Sequence, residues 1–159
     1  MGMKIIRNSY NITQAQVAKT LGIPLRTYIR YERDESYGDP LKRKQMLTLI
    51  KNAYEINEDK GILTIEQITK IVNDVIQSKY EGKVECCYLF GSYAKGYAKD
   101  NSDVDLCVCT TLSGFKFVGL LESLKAALNK RVDLIRIADL GHNIALVEEI
   151  MKDGIKIYG

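Results

Sequence analysis

This sequence predicts an α/β (α+β) sheet domain preceded by a small all-helical domain, on three observations. Residues 3–54 place apolar residues at three- and four-residue spacing, with only brief β-branched runs, which is a helical pattern. From residue 84 onward, β-rich runs alternate with helical ones, as in a sheet covered by helices. Between them, residues 55–63 (EINEDKGIL) are polar and contain Gly61, as a linker would. The predicted domains are residues 1–57 and 58–159.

Composition supports an ordered globular chain. Of 159 residues, 46% are hydrophobic and 27% charged, with 12 Gly and 2 Pro, which excludes disordered and fibrous classes. No apolar run approaches the roughly 18 residues that a membrane span needs. The opening MGMKIIRNSY lacks the apolar centre of a signal peptide, so the expected location is cytoplasmic, with no membrane partner. The net charge of +3 is unevenly spread. Residues 1–60 hold 11 Lys/Arg against 7 Asp/Glu, and residues 61–159 hold 12 against 13. The basic excess is N-terminal, as expected of a part that meets a polyanion.

Within the first domain, ITQAQVAKTLGIPLRTYIRYER (12–33) divides into helix, turn and helix. Thr13 is placed to cap the first helix, Val17, Ala18 and Leu21 form its inner face, and Gly22 permits the turn. Pro24 suits the first turn of the next helix, where its missing amide costs nothing. Tyr28 and Tyr31 then face inward, leaving Leu25, Arg26, Thr27 and Arg30 outside. Such a surface suits a recognition helix, because Arg holds guanine bidentately and also reaches phosphates. One long helix, 40–54, follows.

In the second domain, Thr64 and Gln67 form a capping-box signature. Ile65, Ile68, Ile71, Val72, Val75 and Ile76 give that helix one apolar face, with Gly82 as its expected end. Strands are predicted at 84–90, 103–110 and 131–137, helices at 115–128 and 143–154, and a short last strand at KIY. Four cysteines (Cys86, Cys87, Cys107, Cys109) match neither a disulfide framework nor zinc-site spacing. They read as buried thiols, with a strand-borne metal cluster as the alternative. The single His142 reads as a surface or cap residue.

The chemistry concentrates in LFGSYAKGYAKDNSDVDLCV (89–108). Gly91-Ser92 ends one strand, and ten residues later Asp103 and Asp105 begin the next. Strand alternation puts these two carboxylates on one face. At about 5 Å and an effective dielectric near 20 they repel by roughly 3 kcal/mol, which calls for a compensating cation. A hard cation such as Mg²⁺ is commonly held by one or two carboxylates plus substrate phosphates. Gly91 lets backbone approach phosphate oxygens, Ser92 can donate to them, and Lys95 and Lys99 can offset their charge. Asp133, on a third strand, supplies a further carboxylate able to complete a metal site and accept a proton. Tyr93 and Tyr97 flank the loop as candidates for stacking on a base.

Two resemblances rest on these residues. The TQ at 13–14, the Ala18 and Gly22 spacing and the TYIRYER run resemble Cro/lambda-repressor-like helix-turn-helix domains. That resemblance implies operator contacts by Gln14 and by Leu25, Arg26, Thr27 and Arg30. The Gly-Ser-x10-Asp-x-Asp stretch, with Asp133 and the tail EEIMKDGIKIYG, resembles the DNA polymerase β-like nucleotidyltransferases, most closely their minimal (MNT) branch. It implies a mixed β-sheet, ATP as donor and two Mg²⁺ ions. By position it makes Gly91, Ser92 and Lys95 nucleotide-binding and Asp103, Asp105 and Asp133 metal-binding and catalytic, with Asp133 as general base. Lys95 stands where that family usually has Arg, which keeps the charge but loses the bidentate fork.

MNT proteins of this size resemble antitoxins that add AMP to a tyrosine of HEPN-type toxins, and a fused repressor-like domain suits autoregulation. The expected function is therefore NMP transfer, from ATP, to a partner toxin. Two alternatives stay open: modification of a small hydroxylated molecule such as an aminoglycoside, and a repressor or antitoxin that works by binding alone. A homodimer, if formed, would read paired half-sites about one DNA turn apart.

Overall fold

Helices come first because the N-terminal third supplies caps and turns in quick succession. The computed structural model describes residues 2–159, and the chain divides into the units Met1–Glu55 and Ile56–Gly159. The first unit holds α1 (Met3–Ser9), α2 (Gln14–Leu21), α3 (Leu25–Arg33) and α4 (Pro40–Tyr54). Thr13 caps α2 in a reciprocal box with Gln16, and Gly22, at φ 65°, ends that helix in the left-handed region. The turn that follows is the predicted one, and α3 starts directly after Pro24. Met3, Ile6, Val17, Ala18, Tyr28, Tyr31, Met46 and Ile50 form one core. Beside it, the buried Glu32 carboxylate accepts from Arg7 Nε at 2.6 Å, from the Gln14 amide, and from Tyr28 Oη at 3.2 Å. Burial pushes the Glu32 pKa up, but these donors outweigh it and leave the carboxyl below its usual value.

The second unit runs α5 (Ile65–Lys79), β1 (Val84–Phe90), α6 (Gly91–Ala94), β2 (Val104–Thr110), α7 (Gly114–Leu128), β3 (Val132–Arg136), α8 (Ile144–Asp153) and β4 (Ile155–Tyr158). The four strands make one mixed sheet in the order β3-β2-β1-β4. β1 is antiparallel to β2 and β4, while β2 and β3 are parallel, with α7 as the crossover that parallel strands require. Strand alternation sends Cys87, Leu89, Val104, Leu106, Val108, Val132, Leu134 and Ile157 into the core. There they meet Ile68, Val72 and Ile76 of α5 and Leu120, Leu124 and Leu128 of α7. The opposite face of the sheet is met by α8, which packs on β1 and α6.

Several boundaries differ from those the sequence predicts. The helix expected to run to Gly82 ends at Lys79, and Gly82, at φ 70°, serves the turn into β1 instead. The strand expected from 103 begins at Val104, and residues 137–139 leave the sheet as a 3-10 turn. Asn143, not His142, caps α8. Cys87 and Cys107 are buried as expected, but Cys86 and Cys109, which face each other across β1 and β2, are only partly covered. All four are free thiols.

The capping box of α5 is complete: Thr64 accepts from the Gln67 amide, and the Gln67 side chain accepts from the Thr64 amide. Thr64→Ala is therefore expected to lower stability by about 1 kcal/mol in urea unfolding at unchanged m-value. An unchanged midpoint would show that α5 does not depend on its cap.

Candidate active site

Register brings the aspartates together. On β2, Asp105 stands opposite Phe90 of β1 on one side and opposite Asp133 of β3 on the other. Directly paired residues on neighbouring strands lie about 5 Å apart, so two carboxylates share one spot on the sheet. Burial, followed by the charges of Asp133, Asp103 and Glu149, pushes the Asp105 pKa up to about 6. The repulsion that the sequence implies is thus present at Asp105, and Asp133 contributes more to it than Asp103 does.

Asp103 has a different partner. One residue before β2, its Oδ1 accepts from Arg131 Nε at 2.8 Å. Arg131 also donates to the Asn101 carbonyl at 2.8 Å and reaches Asp59 at 3.3 Å. Its neighbour Lys130, fully buried, donates to the carbonyls of Lys60 and Asp100. These two basic residues pin the loop that leads into β2. Neither Arg131 nor Lys130 was singled out from sequence, and the only signal available was their place just before the strand carrying Asp133.

Gly91 makes the turn from β1 into α6 at φ 69°. A Cβ there would sit 2.1 Å from Asp105 Oδ2, so the missing side chain is what leaves room for the carboxylate. Ser92 follows, partly exposed. Lys95 does not point freely at solvent: its Nζ donates to Glu149 at 2.6 Å and lies 3.9 Å from Asp153, both on α8. That pairing raises the Lys95 pKa. Glu149 is thus a fourth carboxylate at the site, hidden in the sequence because it lies 54 residues beyond Lys95. Tyr93 is buried and so is unavailable for stacking on a base, which corrects that expectation, whereas Tyr97 is exposed.

The donor set suits a hard divalent cation. Asp105 and Asp133 offer carboxylate oxygens side by side, and the Asp105 carboxylate packs into the space that Gly91 leaves free of a side chain. Among the described residues no three His, Cys, Asp or Glu side chains already converge as a cage, and Asp103 is paired with Arg131.

In the helical unit, Leu25, Arg26 and Arg30 lie exposed on α3 and Thr27 is partly exposed, while Tyr28 and Tyr31 are buried, as the pattern predicts. Gln14 is only half-exposed, and its side-chain amide is given to Glu32. A cleft of about 480 Å³ on α4, lined by Leu41, Lys44, Gln45, Thr48 and Leu49, contains no carboxylate and takes no part in this chemistry.

Comparison with known proteins decides the family. The profile described as "Polymerase beta, Nucleotidyltransferase" matches residues 66–159, which include every strand and all three aspartates. The chain belongs to the polymerase β-type nucleotidyltransferases. It is a transferase of that family, with a second match, "Helix-turn-helix", at residues 3–39. Among curated relatives, protein adenylyltransferase MntA of Shewanella oneidensis is 30% identical over 107 residues, covering 66% of this chain and 67% of its own. The protein of the same name in Thermococcus cleftensis is 39% identical over 88 residues, covering 54% of this chain and 89% of its own. Among solved structures, "Crystal structure of the toxin-antitoxin with AMP-PNP" superposes with TM-score 0.50 at 26% identity, covering 57% of this chain and 73% of the other. No helix among the described residues is long and apolar enough to cross a membrane.

Proposed function

We propose that this nucleotidyltransferase moves AMP from ATP onto a hydroxyl of a partner protein, a tyrosine of a HEPN-type toxin, and so acts as its antitoxin. The observation that carries the reading is the Asp105–Asp133 pair: two carboxylates side by side on the sheet, packed against the glycine turn that opens α6. Support for the donor and the acceptor comes from the likeness to proteins named adenylyltransferases and to a toxin–antitoxin structure with AMP-PNP.

In this reading Gly91 and Ser92 receive the phosphates, and Lys95 reaches them by leaving Glu149. Asp105, Asp133 and Asp103 would hold two Mg²⁺ ions, with Asp103 exchanging Arg131 for the cation. When bound, the metal neutralises phosphate charge and orients the α-phosphoryl group. Asp133 accepts the proton of the attacking hydroxyl. The new bond joins that oxygen to the α-phosphorus as the bond to pyrophosphate breaks. Beyond these contacts the protein contributes position, since holding the two reactants aligned supplies much of the rate. The test is incubation with labelled ATP, Mg²⁺ and the product of the adjacent gene. Label on that protein, absent with Asp103→Ala, is the expected result. Label on an added aminoglycoside instead would replace the acceptor, and neutralisation of the toxin by Asp103→Ala without transfer would leave binding alone.

The helical unit we assign to operator DNA. Arg26 and Arg30 project from the exposed face of α3, with Leu25 and Thr27 beside them, and Gln14 stands at the start of α2. Affinity for a fragment of the chain's own promoter is expected to fall steeply with salt. Arg26→Ala and Arg30→Ala should each cost about 1–3 kcal/mol if they read a base, and should flatten the salt dependence by about one counterion if they hold phosphate. Binding that is indifferent to salt would remove this assignment.

A further inference from the structure

Only one face of the sheet is open to a second substrate. α5 and α7 seal the other, so an acceptor that reaches Asp105 and Asp133 must arrive over the face that α8 partly covers. On that face the rung next to Asp105 is Cys107, paired with Tyr88, roughly 7 Å along the strand. That rung floors a groove of about 410 Å³, whose walls come from α8 (Val147, Ile150, Met151) and from the segment after β3 (Ile137, Leu140). The groove therefore begins one side-chain step from the carboxylate pair. Its rim is unusually apolar for an exposed place: Met151 is 82% exposed and Ile137 38%.

We infer that this groove seats an apolar side chain of the polypeptide that carries the acceptor hydroxyl, and so selects a protein acceptor rather than a small polar one. The inference rests on the protein-acceptor reading above. The lining argues for this occupant. Apart from the Tyr88 hydroxyl and the Cys107 thiol, the groove walls offer aliphatic and thioether surface. A purine edge or an aminosugar placed against that wall would find few side-chain partners for its donors and acceptors. An aliphatic or aromatic side chain gives up no hydrogen bond and gains contact along the whole wall. Anchored one rung from Asp105, such a residue would hold a neighbouring hydroxyl within reach of Asp133, which is the positioning that group transfer needs.

The test uses the full chain with the ε-methyl groups of its methionines ¹³C-labelled. Titration with the product of the adjacent gene is expected to move the Met151 methyl resonance, whereas a non-hydrolysable ATP analogue leaves it in place. Met151→Gln combined with Ile137→Gln, neutral changes at exposed rim positions, is expected to raise KM for the protein acceptor about tenfold. ATP affinity and kcat at saturating acceptor should stay unchanged. A Met151 resonance that moves with the nucleotide analogue would make the groove a base site and overturn the inference. So would a resonance that moves with neither, or an unaltered acceptor KM. Movement with the partner in the absence of any AMP transfer would uphold the groove as the seat of a partner side chain while removing the transfer reading.

Discussion

Asp105→Asn is expected to lower kcat for transfer about a thousandfold and, at the same time, to raise the melting temperature. Both effects follow from one cause. Asp105 is half-buried beside Asp133, and its pKa stands at about 6 against an ordinary 3.8. A carboxyl whose folded pKa is raised binds its proton more tightly in the native state than in the unfolded chain. Its contribution is therefore neutral below about pH 3.8, and its ionisation progressively costs stability up to about pH 6, remaining a constant penalty above that. Taken at face value the shift is worth about 3 kcal/mol, but the group is half-exposed and solvent screens it, so about 1 kcal/mol is the better figure. Asn keeps the shape and removes the charge. A gain of about 3 °C in melting temperature at pH 7.5, shrinking to a small fraction of that at pH 4, is the expected scan. An equal gain at both pH values would show that charge is not the source. Repulsion stored in this way is the mark of a site that trades stability for chemistry, as the proposed role of Asp105 requires.

Gly91→Ala is the second large effect. Two costs coincide there. At φ 69° an L-residue pays roughly 1–2 kcal/mol for the left-handed region, and its Cβ would stand 2.1 Å from Asp105 Oδ2. The clash can be relieved only by moving the carboxylate to which the proposed reaction assigns a metal. Transfer is therefore expected to fall at least about a hundredfold, with a stability loss of about 1–2 kcal/mol. Gly96 provides the control, since its φ is 78° but a Cβ there meets nothing within 4 Å. Gly96→Ala should share the stability loss and keep transfer within a few-fold. Equal loss of transfer in the two variants would mean that backbone strain, not displacement of Asp105, is responsible.

These sites differ in how far the sequence disclosed them. The capping box at Thr64 and Gln67, the turn at Gly22 and the alternation of VDLCVCT are local patterns, and the structure reproduces them within a residue or two. Asp105 and Asp133 were legible as well, because both sit on β-rich runs and parallel pairing needs only register to join them. What stayed hidden depends on contacts across the chain. Nothing in RVDLI announces that Arg131 reaches back to Asp103, and nothing in EEIMKDG announces that Glu149 takes Lys95. Gln14 likewise looks like a free surface amide until Glu32, eighteen residues later, turns out to be a buried carboxylate in need of donors. Glycine positions mislead in the same way: Gly82 can end a helix or serve the turn after it, and the helix at 65–79 used its own last turn instead.

Intact-mass measurement of the adjacent gene's product, after incubation with the wild-type chain, ATP and Mg²⁺, tests the central claim most directly. The account predicts a product heavier by one or more AMP groups, mapped by fragmentation to a tyrosine, with no such species when Asp105→Asn replaces the wild type. A partner of unchanged mass, silenced equally well by wild type and by Asp105→Asn, would contradict it.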